Sequence, residues 1–106
     1  MSYGIQHINV AATADGDNAL VTGVEGKIIQ VVSYNLNVVG AGLAILRDAT
    51  AHTARATLQG AATTGIVYTF SGTPHSPAFV CAPGEGLEVN NAAGIDTQGH
   101  LSYRLV

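Results

Sequence analysis

The thirteen residues from Lys27 to Val39 constrain this chain more than any other stretch. In an extended segment, Ile28, Val32, Tyr34, Leu36 and Val38 fall on one face, and Lys27, Ser33, Asn35 and Asn37 on the other. A period of two over that length marks an antiparallel strand with one buried face. A helix cannot use it, because helical stripes repeat every three or four residues. Ile29 and Val31 break the alternation, so the first half of the strand is expected to be covered on both faces or to lie at a subunit contact. Gly23 and Gly26 punctuate its start, and Gly40-Ala41-Gly42 makes the turn at its end.

The same period recurs to the end of the chain. His100 to Val106 sets Leu101, Tyr103 and Leu105 against His100, Ser102 and Arg104, and Gly86 to Asn90 sets Leu87 and Val89 against Glu88 and Asn90. Ile66 to Phe70, with Ile66, Tyr68 and Phe70 on one face, reads as a core strand. Leu43 to Arg47, Thr53 to Leu58 and Ala78 to Cys81 read as shorter strands, and Ile8 and Val10 as the start of another. Ala14 to Asn18 and Thr73 to Pro77 are turn and loop. No window of eleven residues carries a helical apolar stripe. Seven to nine short strands with turns every 8–12 residues describe an all-β antiparallel sandwich, jelly-roll-like. At 106 residues it reads as one domain, 1–106, with 1–22 as an N-terminal arm plus first strand. Tyr34, Leu36, Ile66, Tyr68, Leu87, Leu101 and Tyr103 are the expected core.

A net charge of −3 with only four Lys and Arg cannot supply the basic surface of a nucleic-acid binder. No run approaches the ~20 apolar residues of a membrane span, and the first residues lack the basic and apolar regions of a signal peptide. Cys81 sits in the apolar run Phe79-Val80-Cys81-Ala82 and reads as a small buried hydrophobe made in a reducing compartment.

Catalytic constellations are not found. Glu85 and Glu88, three apart on a strand, point to opposite faces, unlike a glycosidase pair. His7, His52, His75 and His100 lack metal-ligand spacing. Asp15-Gly16-Asp17-Asn18 lacks the later ligands of a calcium loop and reads as a turn. Gly40-Ala41-Gly42 has Ile45 where a dinucleotide fingerprint needs its third glycine. The expectation is a non-enzyme without cofactor, metal or small-molecule substrate. Charged residues make up 10% of the chain, against ~25–35% on the surface of a well-behaved small domain, so part of the surface is expected to be covered by other protein.

Three segments carry a resemblance: Gly23-Val24-Glu25-Gly26-Lys27-Ile28-Ile29-Gln30-Val31-Val32-Ser33-Tyr34, Pro83-Gly84-Glu85-Gly86-Leu87-Glu88-Val89-Asn90-Asn91-Ala92-Ala93, and Gly99-His100-Leu101-Ser102-Tyr103. In that order they resemble the "G-K-x-I-x-V", "G-E-x-L" and "G-x-x-x-Y" strands of capsid decoration (cement) proteins, small virion proteins of tailed bacteriophages. The resemblance covers roughly residues 23 to 106. It implies a non-enzymatic β-sandwich made in the host cytoplasm, sitting as a homotrimer on the outer capsid surface and bridging major capsid protein subunits. Subunit or capsid contacts are expected from Ile5, Ile8, Val10, Ile29 and Val31. The alternative is a tail or fibre tip, or a carbohydrate-binding jelly-roll module. A sugar would need an exposed aromatic ring, and with Tyr34, Tyr68, Phe70 and Tyr103 directed inward, Tyr3 and Phe79 remain for it.

Overall fold

A computed structural model describes residues 4–106. Nine strands form two antiparallel sheets: β1 (Gln6–Ala12), β2 (Gly16–Val21), β3 (Ile29–Val39), β4 (Leu43–Asp48), β5 (Ala54–Gln59), β6 (Ile66–Phe70), β7 (Phe79–Val80), β8 (Leu87–Asn91) and β9 (Asp96–Leu105). Sheet A has the order β1-β9-β3-β6, and the two-residue β7 pairs with β3 beside β6. Sheet B has the order β2-β8-β4-β5. With β7 set aside, the chain passes between the sheets as A-B-A-B-B-A-B-A, the double Greek key of a jelly roll. The expectation of an all-β antiparallel sandwich of seven to nine strands therefore holds. Among the described residues no helix is long and apolar enough to cross a membrane.

The irregular pattern of the third strand has a local cause. Pairing of β3 with β9 shifts register between Val31 and Ser33, a bulge that adds one residue and reverses which parity faces inward. Ile29 and Val31 before it, and Leu36 and Val38 after it, all reach the same core. Val32 at the bulge is buried outside that cluster. The two halves of the strand present opposite parities to one interior, and in the first half Val32 is buried and Gln30 half-buried away from it, so that half is covered on both faces.

That interior takes Val10 and Ala12 from β1, Ala44 and Leu46 from β4, Leu58 from β5, Leu87 and Val89 from β8, Leu101 from β9, and Ile95 and Cys81 from the connections. Within the segment read as an arm plus first strand, residues 6–12 form that strand and residues 16–21 a second one. β1 pairs with β9 from Gln6↔Tyr103 to Ala12↔Thr97, and β2 pairs with β8, so the segment supplies an edge strand to each sheet.

β6 also differs from expectation. It pairs with β3 on one side only, and at the flank of the sandwich Ile66 and Phe70 are 36% and 38% exposed. Tyr68 alone of the expected face packs against the core. A period-two pattern marks which residues share a face, but an edge strand lacks the neighbour that would complete their burial.

Gly99 explains how β9 lies so close to β3. A Cβ there would stand 2.0 Å from the Asn35 carbonyl oxygen, and its φ of 147° is one that other residues rarely adopt.

Candidate docking surface

Of the eleven charged residues, seven lie on strands, five in sheet B and two in sheet A. In the strands of sheet A only Asp96 and Arg104, near the two ends of β9, carry charge. Strand alternation and pairing instead lay uncharged polar side chains across the outer face in rows. Asn9, His100, Asn35 and Thr69 form one row across β1, β9, β3 and β6. His7, Ser102 and Ser33 form a second row.

Hydrogen bonds run along these rows. His7 Nδ1 meets Ser102 Oγ at 2.6 Å, and Thr69 Oγ1 donates to Asn35 Oδ1. His100 Nδ1 lies 3.0 Å from Asn9 Oδ1. An amide oxygen can only accept, so Nδ1 donates in this bond. A shallow depression of about 250 Å³ opens here, lined by Ser33, Asn35, Thr69, Ser71, His100 and Ser102 beside Tyr34 and Phe70. The last two rings stack with centroids 6.1 Å apart.

The free side of β3 is occupied by β7 and then β6, and this flank carries the apolar exposure. Of eight large apolar side chains exposed among the described residues, Ile66, Val67, Phe70 and Val80 stand here, with Val67 at 63%. The opposite flank is different. Between the edge strands β1 and β2 lies a cleft of about 320 Å³ lined by Asn9, Ala11, Ala12, Asn18, Ala19 and Leu20.

Sheet B has an ionic outer face. Arg47 Nε bonds Glu88 Oε2 at 2.6 Å, and its Nη2 bonds Asp17 Oδ1 at 2.7 Å. Asn90 donates to Asp17 Oδ1, and His52 Nδ1 lies 3.2 Å from Glu88 Oε2. The Asn90 bond, with Arg47 beside it, holds the Asp17 carboxyl below its usual range, and Glu88 raises the Arg47 pKa further. Asp17, His52 and Glu88 bring their ligand atoms within 4.8 Å of one another, a grouping that the sequence hid because they come from β2, the β4–β5 loop and β8. Arg47 already stands against both carboxylates, and a cation would have to displace it. The cluster therefore acts as a clasp across β2, β8 and β4.

Beneath it, buried Asp48 receives the forked guanidinium of Arg55 at 3.0 and 2.7 Å and the Ala82 N–H. Burial pushes its carboxyl up, and these donors outweigh that and leave it lowered. The Cys81 thiol, buried and next to Asp48, is pushed up to about 12, so it is unreactive, as its apolar setting predicts.

No protein-family model, curated protein or solved structure matches the chain.

The expected contact residues divide. Ile5 is exposed and Ile8 half-buried, but Val10, Ile29 and Val31 are 3%, 1% and 0% exposed. These three belong to the core, because β1 turns its even positions inward and the β3 bulge turns Ile29 and Val31 the same way. They offer no surface to a partner. Of the two aromatics left for a sugar, Tyr3 lies outside the described residues and Phe79 packs against the core, whereas Phe70, expected inside, is partly exposed. The β6 flank was missed. Its signal was present in Ile66-Val67-Tyr68-Thr69-Phe70, where Val67 is apolar on the supposed outward face.

Proposed function

We propose that this chain is a non-enzymatic virion structural protein, a capsid decoration or cement protein that binds the outer surface of the major capsid shell as a homotrimer and stabilises it. The single observation that carries the reading is the segregation of charge. The outer face of sheet A is laid with Asn, His, Ser and Thr and carries strand charge only at Asp96 and Arg104 near the ends of β9, while sheet B carries paired ionic groups. Charge depletion distinguishes the buried centre of a protein interface from ordinary surface. Free edges on both flanks of sheet A fit a chain that lives inside an assembly. The resemblance of residues 23–106 to decoration proteins names the partner.

The test is co-sedimentation with capsids of the source virus. Wild type is expected to pellet with the shell and to raise its resistance to heat, and Asn35→Asp/His100→Asp, which puts charge at the middle of sheet A, is expected to stay in the supernatant. Wild type that stays in the supernatant refutes the proposal.

The depression beside the Tyr34–Phe70 stack favours a second reading, a tip module that takes a neutral saccharide. Binding to a glycan array that is lost in Asn35→Ala would support it over the capsid role.

A further inference from the structure

Sheet A has two free edges, and the strand directions dictate what can extend it. Across β1-β9-β3-β6 every neighbour is antiparallel, so the next strand beyond β6 must run as β1 runs. A second copy, rotated about an axis along the strands, presents its own β1 in that direction.

The two flanks also differ in shape. On the β6 side an apolar ridge stands out, with Val67 on the outer face of the sheet and Ile66 and Phe70 partly exposed on its inner face. On the β1 side a cleft of small uncharged residues, with Asn9, Ala11 and Ala19 along it, lies between the edges of the two sheets. Neither β1 nor β6 contains a charge or a proline, the devices by which sheet edges usually avoid pairing. Sheet B is treated differently. Its edge β2 carries Asp17 and a register shift, and its edge β5 carries Arg55 and a register shift of its own.

We infer that copies of this chain join head to tail, the β6 ridge of one seating against the β1–β2 cleft of the next with β6 and β1 paired antiparallel. This rests on the reading of the chain as a subunit of a closed homo-oligomer and specifies the interface that closes it. A contact between unlike patches generates a ring when the rotation closes, and three copies would cover all six bare edges of sheet A. A two-fold β6-to-β6 contact would leave every β1 edge open. β6 and β1 bring five and seven residues to the pairing.

Disulfide trapping tests this without disturbing the core, since the native Cys81 is buried and the chosen positions are exposed. Val67→Cys, Asn9→Cys, Ala11→Cys and the doubles Val67→Cys/Asn9→Cys and Val67→Cys/Ala11→Cys are oxidised at micromolar concentration and run without reductant, with circular dichroism confirming each fold. A double variant is expected to give covalent species up to three chains, while each single variant stays one chain. Val67→Lys is expected to reduce the mass by light scattering from three chains to one. Cross-linking of Val67→Cys alone would overturn the inference in favour of two-fold packing. Monomeric wild type, or a wild-type oligomer that neither double traps and Val67→Lys leaves intact, would also overturn it. Wild type that is monomeric yet co-sediments with capsids would sink this inference and leave the decoration role standing.

Discussion

The hydroxyl of Tyr68 closes both backbone groups of Gln59, accepting from its N–H at 3.0 Å and donating to its C=O at 2.8 Å. Tyr68 belongs to β6 of sheet A and Gln59 ends β5 of sheet B, so one side chain ties the two sheets together on that flank. It also occupies the place of the missing strand beside β5. Tyr68→Phe keeps the ring and removes both bonds, and unfolding in urea is expected to show a loss of about 1–2 kcal/mol. An unchanged midpoint would mean that water serves Gln59 equally well.

The core predicts larger effects. Leu36 and Leu101 are fully enclosed between the sheets, and Leu36→Ala or Leu101→Ala is expected to cost ~2–5 kcal/mol through lost burial and the cavity left behind. Thermal unfolding like that of wild type in both would contradict this packing.

Gly99→Ala adds one carbon and is expected to destabilise by about 1–3 kcal/mol. The new Cβ meets the Asn35 carbonyl oxygen, a backbone atom that cannot swing aside without parting β3 from β9. Faster amide exchange in both strands is the expected signature, and native-like protection there would show that the strands accommodate it.

Acid stability should follow Asp48. Its pKa is lower in the folded state than in the unfolded chain, so its contribution is complete above the unfolded value of about 4 and is lost as pH falls below it. Stability is expected to be level from neutral pH to about 5 and to decline below about 4. Asp48→Asn is expected to cost about 1.5–3 kcal/mol at neutral pH and to flatten that decline. An acid limb of the same size in the variant would assign it to other carboxylates.

Because Arg47 already bonds both Glu88 and Asp17, exhaustive dialysis against a chelator is expected to leave the melting temperature where it was. A fall of several degrees, reversed by zinc or calcium and absent in His52→Ala, would make the Asp17–His52–Glu88 group a cation site.

These particulars show where sequence patterns carry far and where they stop. Leu87, Val89 and Leu101 were legible as interior because each lies on a strand with neighbours on both sides, so alternation and burial coincide. Ile66 obeys the same alternation yet stays exposed, since pattern does not tell an edge strand from a central one. The bulge at Val32 was visible only as a break in period, with its inward re-aiming of Ile29 and Val31 hidden until β9 supplied the register. The Arg47 clasp joins residues up to 71 positions apart in sequence and could be found only by folding the chain.

The separation of charge between the sheets has a kinetic consequence. A partner approaching the middle of sheet A meets no charged side chain, Asp96 and Arg104 standing near the ends of β9, so steering is weak and association should proceed near the unsteered rate of roughly 10⁵–10⁶ M⁻¹s⁻¹ and change little between low and high ionic strength. Tightness must then come from slow departure, and a subunit bound through this face would be retained on its particle through dilution and through changes of salt in the surroundings.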